Sequence, residues 1–69
     1  MLDARGLKCP LPVLQMEKRL AALPAGGRLT VLATDPMAKV DIPLHCRQHG
    51  HECTVTEADG GLRFAIVRA

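Results

Sequence analysis

Two prolines, Pro10 and Pro12, follow Cys9 at a spacing that fits the first turn of a helix. Inside a helix a proline costs about 3 kcal/mol, but in the first turn its missing N–H is one that finds no intrahelical partner anyway. Cys9-Pro10-Leu11-Pro12 therefore marks a helix start, with Cys9 expected as the N-cap. Val13, Met16, Leu20 and Leu23 then recur at the period of one helical face, so the helix is expected to run to about Leu23 and to bury that stripe. Gln15, Lys18, Arg19 and Ala22 form the opposite side. Leu11 falls with them, an apolar side chain left facing solvent just beyond the cysteine.

The remaining chain alternates strand and helix signals. Residues 1–4 read as a short strand closed by a Gly6 turn. Between Arg28 and Thr34, the positions Leu29, Val31 and Ala33 alternate with outward-facing residues, and the β-branched content favours a strand. Asp35 is expected to cap a second helix with Pro36 at its first position, Pro43 to interrupt it, and Asp41 to recap a short turn that ends at Gly50. Glu52 to Glu57 and Leu62 to Arg68 read as two strands joined as a hairpin through Ala58-Asp59-Gly60-Gly61. The order is βαβαββ. Each strand has one apolar face, so the expected class is α+β, a two-layer α/β sandwich with a mixed four-stranded sheet and both helices on one side.

Size and cysteine usage narrow the setting. A chain of 69 residues has room for one domain, expected to span residues 1–69, and a domain this small buries only about 60% of its unfolded surface. Disulfides commonly compensate at this size, yet three cysteines do not pair evenly, and Asp3 and Arg5 interrupt any apolar leader. A reducing cytoplasm is the expected compartment. No apolar run approaches the roughly 20 residues a bilayer requires, so no membrane partner is expected. Nine basic and seven acidic residues lie scattered, for a net charge of +2, without the basic stripe of a nucleic-acid footprint.

A thiol at a helix N-terminus has particular chemistry. The positive end of the helix dipole favours an anion, and comparable positions lower a cysteine pKa from about 8.5 to roughly 3.5–7.5. Lys8 and Arg5 are expected to add to this, while the prolines remove donors that would otherwise help. On spacing alone Cys9 is equally a cap that packs as a small hydrophobe. No histidine, aspartate or glutamate lies near it in sequence to act as a base, so a Cys-His hydrolase is not indicated. Sulfur exchange asks for an exposed anionic sulfur and a competent leaving group instead.

The chain resembles the TusA/SirA-type sulfur carriers over nearly its whole length. The likeness is carried by Leu2-Asp3-Ala4, Gly6-Leu7, Cys9-Pro10-x-Pro12-Val13, a loosened Pro24-Ala25-Gly26, Asp35-Pro36 and Asp41-Ile42-Pro43. That resemblance implies a persulfide on Cys9, received from a cysteine desulfurase or rhodanese-type donor and passed to an acceptor relay protein. Such carriers serve transfer-RNA thiolation, cofactor sulfuration or sulfur oxidation. Within this reading Cys9 is the covalent residue, Pro10 and Pro12 fix the helix start, Lys8 and Arg5 bias the anion, and Leu11 is the docking contact. Cys53 stands where the family more often has an apolar residue, and it shares a strand face with Val55, so it is expected buried and inert. Cys46 is similar to a cysteine found there in relatives and is also expected to pack.

Three rival readings compete with this one. His45, Cys46, His49, His51 and Cys53 contain enough donors for zinc, but they straddle a helix end and a strand, unlike a pair of zinc knuckles. No metal and no cofactor are therefore expected. A nucleic-acid module is poorly served by one aromatic residue, Phe64, so no direct nucleic-acid binding is expected. A thiol redox regulator differs from a carrier only in what Cys9 gains, an oxygen or a disulfide in place of a sulfur.

Overall fold

A computed structural model describes residues 1–58 and 60–69, with the elements β1 (Leu2–Ala4), α1 (Leu11–Ala21), β2 (Arg28–Ala33), α2 (Ala38–Gln48), β3 (Glu52–Ala58) and β4 (Gly61–Val67). The expected order βαβαββ is the observed one. The strands form one mixed sheet in the order β1-β2-β4-β3. β1 runs parallel to β2, and β4 lies antiparallel to both β2 and β3. The β3–β4 pairing closes at Ala58 opposite Gly61, and the expectation for Asp59 in that turn lies outside the described residues.

The alternation read in the strands sets the core. Leu2, Val31, Phe64 and Val55 form one row across the sheet, with Leu29 and Ile66 in the next. α1 packs over β1 and β2, α2 over β3 and β4, and the helices also touch each other. Between the layers Met16, Val31, Ile42 and Phe64 are fully buried, joined by Pro12, Leu20, Ala38, Cys46 and Ile66. Val55, on the edge strand β3, remains 37% exposed although its row is otherwise covered.

Both helix starts differ from expectation. Pro10, not Cys9, is the N-cap of α1, and Pro12 is its second residue, so Cys9 stands just outside the helix. Leu11 N–H donates to the Lys8 carbonyl at 2.8 Å, a tight turn ahead of the helix that shifts its start by one residue. α2 is capped by Met37, and Asp35 with Pro36 forms the hydrogen-bonded turn that leads into it. Pro43 does not interrupt α2, and Asp41 starts no second turn. The physical reason is local: Pro43 withholds one N–H from the Lys39 carbonyl, but Lys39 is exposed and water can replace the bond.

The end of α2 follows its glycine. Gly50 has φ +75°, its N–H bonds the Arg47 carbonyl, and His51 N–H bonds the Cys46 carbonyl at 2.8 Å, a Schellman closure that turns the chain into β3. Phe64 gives the sharpest packing test. Phe64→Ala is expected to lower stability by about 3–5 kcal/mol, seen as a lower urea midpoint, whereas Val55→Ala in the same row costs less than about 1 kcal/mol. Equal losses would contradict this division of the row.

Candidate functional site

Cys9 sits in the loop between β1 and α1, exposed, with its backbone and side chain held by two carboxylates from the α2 region. Its N–H donates to Asp35 Oδ2 at 2.5 Å, and Asp35 Oδ1 accepts the Met37 N–H at 3.1 Å. One carboxylate thus ties the approach to α1 to the approach to α2. The Cys9 thiol donates to Asp41 Oδ2 at 2.8 Å. Thr34 adds a second tie, its hydroxyl accepting the Gly6 N–H at 2.9 Å.

These contacts reverse the expected electrostatics. The Cys9 thiol is raised above its ordinary pKa, first by its hydrogen bond to Asp41, then by burial and by the charges of Asp41 and Asp35. A carboxylate that accepts the thiol proton favours the protonated form, and a thiolate there would face two like charges. The helix end counters this only weakly, because Pro10 and Pro12 have no N–H and that of Leu11 bonds the Lys8 carbonyl. Arg5 does not help either. Its guanidinium forms a two-point pair with Asp3, with Nε to Oδ1 and Nη2 to Oδ2 both at 2.8 Å, and holds that carboxyl down to about 2. Lys8 acts on Asp35, whose carboxyl it helps to hold low after the N–H donors of Cys9 and Met37.

Sequence proximity therefore missed the site's two acids. Asp35 and Asp41 lie 26 and 32 residues from Cys9, and only the Asp-Pro and Asp-Ile-Pro motifs pointed to them. Around the thiol an open cavity of about 300 Å³ is bounded by Cys9, Pro10, Val13, Asp41, Leu44 and His45, among others. Apolar side chains stand exposed on both helices: Leu11 and Leu14 on α1, and Met37, Val40 and Leu44 in the α2 region at helical spacing. Leu11 is 45% exposed, as its place opposite the buried stripe implied.

The other cysteines occupy different surroundings. Cys46 is buried under α2, and burial, with the neighbouring Cys53 thiol, pushes it up to about 12. Cys53 is half-buried against the core and is also raised by burial. Among the described residues no helix is long and apolar enough to cross a membrane. Replacing the acid beside the thiol tests the local electrostatics. Asp41→Asn is expected to move the pH midpoint of Cys9 alkylation down, each pH unit of movement giving about tenfold more thiolate well below the midpoint. An unmoved or higher midpoint would contradict the role assigned to Asp41.

The chain is similar to known proteins of one family. The family described as Sulfurtransferase TusA matches residues 1–68. A sulfur carrier protein TusA from Pseudomonas syringae pv. syringae is 48% identical over 67 residues, covering 97% of this chain and 80% of that protein. One from Pseudomonas putida strain F1 is 46% identical over 68 residues, covering 99% and 85%. The crystal structure of a SirA-like protein from Desulfitobacterium hafniense superimposes with a TM-score of 0.88 at 34% identity, over 96% of this chain and 92% of that one.

Proposed function

Given that the chain belongs to the TusA family of sulfur carriers, we propose that Cys9 is the residue that carries the sulfur, as a persulfide, between a donor protein and an acceptor protein. The observation that carries this reading is the exposed Cys9 thiol directed at Asp41 Oδ2, 2.8 Å away, while Cys46 is buried and Cys53 half-buried. The thiol is reachable, and an acceptor for its proton is already in place.

Transfer then balances without an added oxidant. As Cys9 Sγ attacks the terminal sulfur of a donor persulfide, its proton passes to Asp41. A new S–S bond forms on Cys9, the donor's S–S bond breaks, and the donor cysteine leaves as a thiolate that takes up a proton. Unloading is the reverse with a different partner: an acceptor thiolate attacks the terminal sulfur, and Cys9 departs and regains its proton. The donor is a cysteine desulfurase or rhodanese-type protein, and the acceptor is a further relay protein in the same reducing cytoplasm. Transfer-RNA thiolation, cofactor sulfuration and sulfur oxidation are the routes this chemistry can feed. Residues 1–69 act as one carrier unit.

The supporting residues take positional roles. Pro10 and Pro12 set where α1 begins and so where the loop presents the sulfur. Leu11, with Leu14 and Leu44, forms the apolar apron against which donor and acceptor dock. Lys8 offsets the acids through Asp35, and Arg5 acts only by closing the turn with Asp3.

Incubation with a cysteine desulfurase and labelled cysteine, followed by mass spectrometry, is expected to show one added sulfur on Cys9. It should be absent in Cys9→Ser and retained in Cys46→Ser. Oxygen gained in place of sulfur, or label retained by Cys9→Ser, would overturn the proposal. Leu11→Glu is expected to slow loading about tenfold, corresponding to about 1.4 kcal/mol of lost docking, whereas Lys8→Ala changes it less. An unchanged rate in Leu11→Glu removes that residue from the docking surface.

A further inference from the structure

The contact between α1 and the last turn of α2 gathers donors that the proposed sulfur transfer leaves unused. His45 lies in the last turn of α2 and His49 is its C-cap, and their ring centroids are 4.3 Å apart. Glu17 approaches from α1, with Oε1 3.4 Å from His45 Nδ1. One donor atom from each of Glu17, His45 and His49 lies within 4.8 Å of the others. Together they border an open cavity of about 430 Å³.

The arrangement has the features of a three-ligand metal site. Two imidazoles and one carboxylate form a donor set that holds zinc in catalytic-type sites, where the fourth position stays open. Bonds of about 2.0–2.2 Å place tetrahedral donors roughly 3.3–3.6 Å apart, so closure asks these atoms to draw in by about an ångström. Glu17 and His49 are exposed and free to make that adjustment by rotation. The site also lies at the C-terminal end of α2, where the helix dipole favours a cation. Two neighbours stay outside the donor set. His51 Nδ1 accepts the Ala69 N–H at 3.0 Å, and the Arg68 guanidinium is held by the Leu23 carbonyl.

We infer that Glu17, His45 and His49 form a binding site for a divalent metal ion of the zinc class, with its open position facing the cavity. This replaces the donor set that led the sequence reading to expect no metal. That set counted Cys46 and Cys53, of which Cys46 is buried, and could not include Glu17, which only the packing of α1 on α2 brings near. The site is separate from the sulfur position, although His45 borders both cavities.

The test is zinc titration of the reduced chain without a histidine tag, followed by calorimetry, with circular dichroism to check that each variant is folded. Wild type and Cys9→Ser are both expected to bind one equivalent with the same affinity. His49→Ala and Glu17→Gln, which alter exposed side chains, are each expected to bind at least about tenfold more weakly. Equal affinity in His49→Ala, loss of binding in Cys9→Ser, or no stoichiometric binding by the wild type would overturn the site.

Discussion

The Asp35 carboxylate is the joint on which the rest of the Cys9 site depends. With one oxygen on the Cys9 N–H and the other on the Met37 N–H, it fixes two loops that would otherwise enter their helices independently. Each helix buries a stripe against the sheet, but that packing sets only the layer spacing, not where the chain lies before each helix. Asp35 supplies that information through charge-assisted hydrogen bonds, roughly twice as strong as neutral ones. Once it is in place, the first turn of α2 brings Asp41 to the thiol.

The sulfur thus meets two opposed influences. A helix N-terminus favours negative charge, but its donors are depleted by Pro10 and Pro12, while two acids stand close by. The nearby carboxylates win because their charges are whole and adjacent, whereas the dipole amounts to about half a charge. The Cys9 thiol is consequently raised above its ordinary pKa with its proton aimed at Asp41, and it differs from Cys46 in access.

Most of the fold was legible because its signals are short-range. Alternation at Leu29, Val31 and Ala33, the stripe at Met16 and Leu20, and the stop at Gly50 each depend on neighbours within a few residues. The exposure of Leu11 followed from the same periodicity. What could not be read came from long-range or solvent effects. Asp35 and Asp41 reach Cys9 only after the sheet forms, and Arg5 is diverted by Asp3, two residues away on the preceding strand. Pro43 was misread because propensity penalises the lost bond without knowing that the orphaned carbonyl belongs to an exposed residue. Cys53 was only partly anticipated: its facing was right, but the helices cover β3 incompletely.

If Cys9 carries the sulfur as proposed, the acids beside it also bear on how firmly that cargo is held. A sulfane sulfur carried on Cys9, as proposed, would bring its negative charge toward Asp35 and Asp41, and the nearby Arg5 guanidinium is already paired with Asp3. On that proposal the pocket would grip its load weakly. That is the property a courier needs and a storage protein lacks, since every stabilising contact with the parcel would have to be undone at delivery.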